Sequence, residues 1–340
     1  MLIRTVSISL AIPAYSRVSE LNELLLSVEV QDLLPAEIII CEDCSPQRKE
    51  IRKLVLPFVS RLLLRGCTLI YIENTINLGY DGNVRKLLRE SSQKWTMLIG
   101  NDDLTLPGCF QIAEKFLLRN PSVKVVSRSF VRFSTEINSS LGVSNIATSD
   151  KVFVAGVDKS RMLFRACGFV GGLLIDSYWA KILDTDQYDG TLYYQIYLAA
   201  QAFCEDGIGY ISTPIVGGRA GNPPLFGSAS SEKGIHVPGS YTPSGRAKMW
   251  QSVMEICRDV GEAKGINLID DVKKELAIRQ SFHVFEMMVN AEKKVLNELR
   301  CELKKIGLYS HLFPMILFWI IRLMGRRAKL FFDLVRKIEQ

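Results

Sequence analysis

Trp95-Thr96-Met97-Leu98-Ile99-Gly100-Asn101-Asp102-Asp103 is a short apolar run that stops at a glycine and delivers two adjacent carboxylates. Its composition is that of a buried strand, and the Gly-Asn-Asp-Asp end is turn chemistry. Neighbouring carboxylates repel one another and are not buried without compensation, so a cation is expected against them. At a strand end that cation is commonly a divalent metal carrying a phosphate-bearing ligand.

The pattern on either side decides what kind of strand this is. Val6–Pro13, Glu37–Cys41, Leu69–Ile72, Lys94–Ile99 and Val123–Phe133 read as strands, separated by helical segments. In Arg17–Glu29 the apolar residues Val18, Leu21, Leu24, Leu25 and Val28 share one helical face. Ser45-Pro46 is expected to open a second helix, Asp81–Arg89 a third, and a fourth runs from Pro107 to about Leu118. Short strands alternating with helices predict βαβ units and a Rossmann-like, mostly parallel sheet flanked by helices, an α/β fold. In such sheets ligands lie beyond the carboxyl ends of the strands. The polar clusters Pro13–Arg17, Glu42–Ser45, Asn74–Tyr80 and Asn101–Asp103 all fall on those ends.

Farther along, residues 134–155 read as a polar loop, Phe169–Ile175 as a strand, Thr191–Phe203 as a helix and Gly207–Thr213 as a strand ending at Pro214. The Gly-, Pro- and Ser-rich stretch 217–245 is long for a connection without secondary structure, which points to a flexible functional loop. The chain is therefore expected to divide into a domain over 1–220 (halves 1–118 and 119–220), the loop 217–245, a helical region 246–310 and a basic amphipathic helix 311–340.

Composition narrows the class. The 340 residues are 48% hydrophobic and 23% charged, with a net charge of +6. That charge is too small and too little clustered with aromatics to indicate nucleic acid. The eight cysteines fall mostly in apolar runs, as expected of free thiols in a reducing compartment. Cys41-Glu42-Asp43-Cys44 has no second pair at zinc spacing. Residues 1–13 lack the charged region and cleavage site of a signal peptide, and no apolar run is long enough to cross a bilayer. From His311 to Gln340 there are six Lys/Arg against Asp333 and Glu339. Arg322, Arg326, Lys329 and Arg336 share one helical face, opposite Ile316, Ile320, Leu323, Leu330 and Leu334, the pattern of an in-plane interfacial helix on an anionic membrane.

The candidate chemistry follows. Asp43, a lone acid after the second strand, suits hydrogen bonds to a base or ribose, while the pair Asp102–Asp103 suits magnesium or manganese bridging two phosphates. Asn77, Gly79 and Arg85 lie at a helix start, where phosphate is attracted. No phosphate-binding lysine loop and no Gly-x-Gly-x-x-Gly follows the first strand, so ATPase and dehydrogenase chemistry are disfavoured.

Ile12-Pro13-Ala14-Tyr15-Ser16-Arg17, Glu37 to Ser45, Asn77-Leu78-Gly79-Tyr80 and Gly100-Asn101-Asp102-Asp103 with Pro107, in that order, resemble glycosyltransferase family 2. The resemblance is closest over residues 5–118 and extends to about 220. Cys167 to Gly172, and Ile211 to Val216 with Arg219, are similar to its bacterial O-antigen branch, the abequosyltransferase-type enzymes. The resemblance implies the A-type glycosyltransferase fold with a carboxyl-terminal helical extension, a nucleotide-sugar donor and a divalent metal. It implies that Pro13, Tyr15 and Arg17 line the nucleotide pocket, that Asp43 contacts base or ribose, and that Asp103 ligates the metal with Asp102 beside it. Two departures stand out. The metal triplet begins with Asn101, and the family's usual Glu-Asp, source of the catalytic base, is absent from Thr191–Tyr197. Asp189 is then the expected base, with Tyr193, Tyr194 and Gln195 at the acceptor. The expected activity is inverting transfer of a sugar to a polyprenyl-linked saccharide in O-antigen or surface-polysaccharide synthesis, on the cytoplasmic face of the membrane. The alternatives are a sugar nucleotidyltransferase, which lacks its glycine-rich lysine signature here, and a non-catalytic membrane-peripheral sugar-binding or assembly protein.

Overall fold

A computed structural model describes residues 5–339. Strands β1 (Thr5–Ala14), β2 (Leu34–Glu42), β3 (Thr68–Glu73), β4 (Trp95–Leu98), β5 (Leu104–Thr105), β6 (Val125–Phe133), β7 (Ser140–Ser144), β8 (Lys151–Phe153), β9 (Leu173–Asp176) and β10 (Ile208–Arg219) form one sheet. Its order is β3-β2-β1-β4-β9-β6-β10-β5, with β7 on β6 and β8 on β10. The half from β3 to β4 is parallel, whereas β9 enters antiparallel to both β4 and β6, which makes the whole sheet mixed.

Each central strand is buried on both faces, as the run Ile38-Ile39-Ile40-Cys41 requires. Leu10, Ile12, Ile38 and Ile40 face helices Val18–Glu29, Arg48–Leu63 and Cys109–Arg119. Ala11, Ile39 and Cys41 face helices Gly79–Glu90 and Tyr194–Cys204. That second core continues through helix Pro243–Lys264 and the helices after it as far as Phe332. The carboxyl-terminal helices therefore thicken one layer of the sheet and share its core.

Several local expectations shift. The second helix begins at Arg48 rather than at Pro46, because the amide of Ser45 donates to buried Glu42 at 2.6 Å and Ser45–Gln47 is held as a turn. Residues 134–155 supply β7 and β8. Strand β10 does not stop at Pro214: the ladder to β6 lapses between Ile211 and Val216, and then resumes to Arg219. All eight cysteines are free, Cys41 and Cys44 included.

The carboxyl-terminal helix is broken at Gly325 into Leu312–Met324 and Ala328–Glu339. Ala328 and Phe332 are buried, and Glu286 pairs with Lys329 and Arg336, so part of the expected basic face docks inward. Arg322, Arg326 and Arg327 remain exposed, alongside Leu312, Met315, Ile316, Trp319 and Leu323. Among the described residues no helix is long and apolar enough to cross a membrane.

Candidate active site

Beyond the carboxyl ends of β1 to β4 lies a cavity of about 360 Å³, lined by Pro13, Tyr15, Arg17, Asp43, Asn77, Gly79, Asp102 and Asp103. These are eight of the sequence-predicted residues, brought together from four separate strand ends. Positive φ at Ser16, Arg17 and Cys44 marks how sharply the chain turns after β1 and β2. Non-glycine residues hold that conformation at a cost and tend to gather at functional sites.

Asp43 is 4% exposed and fully engaged. Its Oδ1 accepts from Asn74 Nδ2 and the Leu78 amide, both at 2.8 Å, and its Oδ2 from the Gly79 amide at 3.0 Å. Asp43 thus fastens the start of helix Gly79–Glu90 to the end of β2. Burial raises its pKa and these donors pull it back.

The adjacent acids differ sharply. Asp102 turns to the cavity, where its Oδ2 receives the Arg17 guanidinium and, at 2.8 Å, Asn222 Nδ2. Asp103 is 3% exposed and turns inward. Its Oδ1 accepts the Arg219 amide at 3.0 Å, and its Oδ2 would lie 2.4 Å from a Cβ on Gly171, so only glycine fits there. Burial, reinforced by the charge of Asp102, raises the Asp103 pKa. Both line the cavity, but Asp102 is the more outward carboxylate and Asp103, the expected metal ligand, the more deeply buried one. Arg219 Nε holds the Asp102 carbonyl at 2.9 Å, and buried Arg128, its guanidinium over Phe169 and Phe130, adds positive charge behind Asp103.

Other expected residues stand apart. Arg85 leaves the phosphate side and pairs with Asp184 at 2.8 Å and Asp189 at 2.7 Å. Asp189 is outside the cavity lining; its Oδ2 is held by that arginine, while its Oδ1 is buried without a hydrogen-bond partner. Tyr193, Tyr194 and Gln195 are buried beneath the site, at 6%, 1% and 3% exposure. Gln195 accepts the Tyr80 hydroxyl at 3.1 Å.

Sequence reading missed what the loop after β10 supplies: Asn222, Phe226, Glu232 and Tyr241 all line the cavity. Arg17 Nη2 donates to the Pro223 carbonyl at 2.6 Å, and Glu232 accepts the Tyr80 amide at 2.7 Å. The loop is fastened over the strand ends at both points.

Asp81 links the two halves. It is wholly buried, and its carboxylate accepts the amides of Leu192 at 2.8 Å and Tyr194 at 2.9 Å, at the start of helix Tyr194–Cys204. Burial pushes its pKa up to about 7 against those two donors. The folded protein therefore holds this proton more tightly than the unfolded chain, whose Asp titrates near ~3.9. The resulting stability is complete below that value and is lost as pH rises toward about 7. Asp43, Asp103 and Asp189 are raised too and add the same sign. The melting temperature is expected to fall between about pH 5 and about pH 8, and to fall less steeply in Asp81→Asn. A melting temperature that rises over this range would contradict the assignment.

Known proteins resemble the chain in sequence and in fold. The family model described as glycosyl transferase family 2 matches residues 9–160. The chain is 24% identical to the abequosyltransferase RfbV of Salmonella typhimurium over 228 residues, which cover 63% of this chain and 67% of that protein. Its fold is similar to that of S. aureus TarS 1–349 in complex with UDP-GlcNAc, with a TM-score of 0.60 and 11% identity over 98% of this chain and 93% of that one. The same protein in complex with UDP gives a TM-score of 0.57, at 11% identity over 98% and 92% of the two chains. Residues 9–160 match the glycosyl transferase family 2 model, and the chain is a glycosyltransferase of the A-type fold, similar to an abequosyltransferase.

Proposed function

We propose that this nucleotide-sugar glycosyltransferase lays the nucleoside diphosphate of its donor along the ends of β1 to β4. The sugar then passes, with inversion at C1, to a hydroxyl of a lipid-linked saccharide in O-antigen or related surface-polysaccharide synthesis. The observation that carries this reading is the convergence of Tyr15, Arg17, Asp43, Asn77 and Asp102 on one cavity. Arg17 and Arg219 bring positive charge to the side where a diphosphate would lie, and Asp43 sets the helix start against which the nucleoside would rest.

The residues fit a divalent cation. The outward Asp102 oxygen already collects a guanidinium and an amide, the donors expected where a cation would otherwise sit. Magnesium and manganese need only one or two carboxylates when phosphates and water complete the shell. Asp102 would hold such an ion, which would offset the charge growing on the departing diphosphate. Nucleotide release from a panel of UDP-, GDP-, CDP- and dTDP-sugars, with manganese and with chelator, tests the reading. Release from one donor class supports it; release from none would favour the assembly-protein alternative.

The exposed outer face of helix Leu312–Met324 fits an anionic bilayer. Leu312, Met315, Ile316, Trp319 and Leu323 are exposed beside Arg322, Arg326 and Arg327, and no acid occurs from His311 to Phe332. An apolar strip flanked by cations binds at the headgroup boundary, each cation contributing about 1 kcal/mol. The protein is expected to sediment with phosphatidylglycerol vesicles and Ile316→Glu/Trp319→Glu to remain in solution, with nucleotide binding unchanged. Equal sedimentation of both would remove the membrane assignment.

A further inference from the structure

We propose that Glu232, carried by the loop after β10, is the catalytic base. This rests on the glycosyl-transfer reading of the cavity.

Inverting transfer needs a group to take the proton of the attacking hydroxyl, and four carboxylates line the cavity: Asp43, Asp102, Asp103 and Glu232. Asp43 already accepts three hydrogen bonds and fastens a helix start. Asp102 takes Arg17 and Asn222 on the diphosphate side, and Asp103 points away toward Gly171. His236, on the same loop, is buried, its Nε2 3.4 Å from the Gly190 carbonyl. Only Glu232 remains.

Its surroundings suit the task. Oε1 accepts the Tyr80 amide at 2.7 Å and Oε2 the Gly227 amide at 2.6 Å, so the side chain is held at both oxygens. A carboxylate oxygen has a second acceptor site, so each can still receive a hydroxyl proton. No ion pair among the described residues reaches Glu232, whereas Asp189 is paired with Arg85. Gly79 leaves the space that Glu232 fills: a Cβ there would stand 2.7 Å from Oε1. Tyr80, Phe226 and Tyr241 line the same cavity, and the last two rings lie 5.6 Å apart, a surface on which a sugar ring can pack. Tyr80 also joins the new acid to Gln195, at the helix where the family's Glu-Asp is missing.

In the step itself the acceptor oxygen forms a bond to C1 of the donor sugar while its proton passes to a Glu232 oxygen. The bond from C1 to the diphosphate oxygen breaks, and its electron pair leaves on the nucleoside diphosphate.

The experiment uses the full chain and whichever nucleotide sugar of the panel releases nucleotide, with water as acceptor and then with sodium azide. Glu232→Gln is expected to lower release to water by about 10²–10⁴-fold, with nucleoside diphosphate affinity within about twofold of wild type by calorimetry. Azide brings no proton, so it is expected to restore release in Glu232→Gln and in Glu232→Ala and to yield a glycosyl azide. Normal release in Glu232→Gln would overturn the assignment. So would lost release without azide rescue in both variants when nucleotide binding is intact, because that is the signature of a loop fastener. If the wild type releases nucleotide from no donor, the glycosyl-transfer reading itself fails.

Discussion

Asp102→Asn is expected to lower donor turnover by about 10³-fold, the scale seen when one fixed electrostatic contact to a reacting group is removed, while the fold survives. Of the two acids after β4, Asp102 is the more exposed to the cavity, and asparagine there cannot hold a cation as a carboxylate does. The structural loss is small: one ion pair with Arg17, both side chains partly exposed, about 1 kcal/mol. Asp103→Asn is expected to cost less activity than Asp102→Asn, because an asparagine oxygen can still accept the Arg219 amide and burial already disfavours charge at that position. Parallel kcat values and melting curves check the ranking. A larger loss at Asp103 would return the metal to that residue.

The largest effect on the folded state is expected at Gly190. Its φ is +86°, and a Cβ there would stand 2.3 Å from the Ser231 carbonyl oxygen. That contact is with backbone, so no side-chain rotation relieves it, and the left-handed conformation adds its own strain. Gly190→Ala is expected to destabilise by roughly 2–4 kcal/mol by combining these effects and to push out the loop that carries Glu232. Turnover falls, and nucleoside diphosphate binding survives because Asp43 and Asp102 lie on other elements. Unchanged melting and turnover in Gly190→Ala would show that the loop does not pack here.

How much was legible depended on how far each contact reaches along the chain. The βαβ half was readable because its signals are local: the Ile38–Cys41 run, the one-faced apolar pattern of helix Val18–Glu29, and polar residues at four consecutive strand ends. The family resemblance added Tyr15 and Arg17. What stayed hidden was set by distant partners. Asp102 and Asp103 are indistinguishable as neighbours in sequence; Arg17, Asn222 and the Arg219 amide turn one out and the other in. Asp189 is held by Arg85, 104 residues earlier in the chain. Glu232 sits in a Gly- and Ser-rich stretch with no local pattern, and meets Tyr80 across 152 residues. The antiparallel insertion of β9 between β4 and β6 has no sequence signature either, since a four-residue buried strand reads alike in both directions. Proline ordinarily ends a ladder, so the sequence alone ends β10 at Pro214; in the structure Pro214 falls where the pairing has already lapsed.

The central claim is that the cavity at the ends of β1 to β4 holds a nucleoside diphosphate. Titration calorimetry of the wild type and Asp43→Ala with UDP, GDP, CDP and dTDP, in manganese, tests it most directly. Asp43→Ala releases the start of helix Gly79–Glu90 from β2 and empties the centre of that wall. The account predicts saturable binding of one nucleotide class by the wild type and at least about tenfold weaker binding, 1.4 kcal/mol, in Asp43→Ala. Full affinity in Asp43→Ala, or no binding of any of the four by a folded wild type, would contradict it.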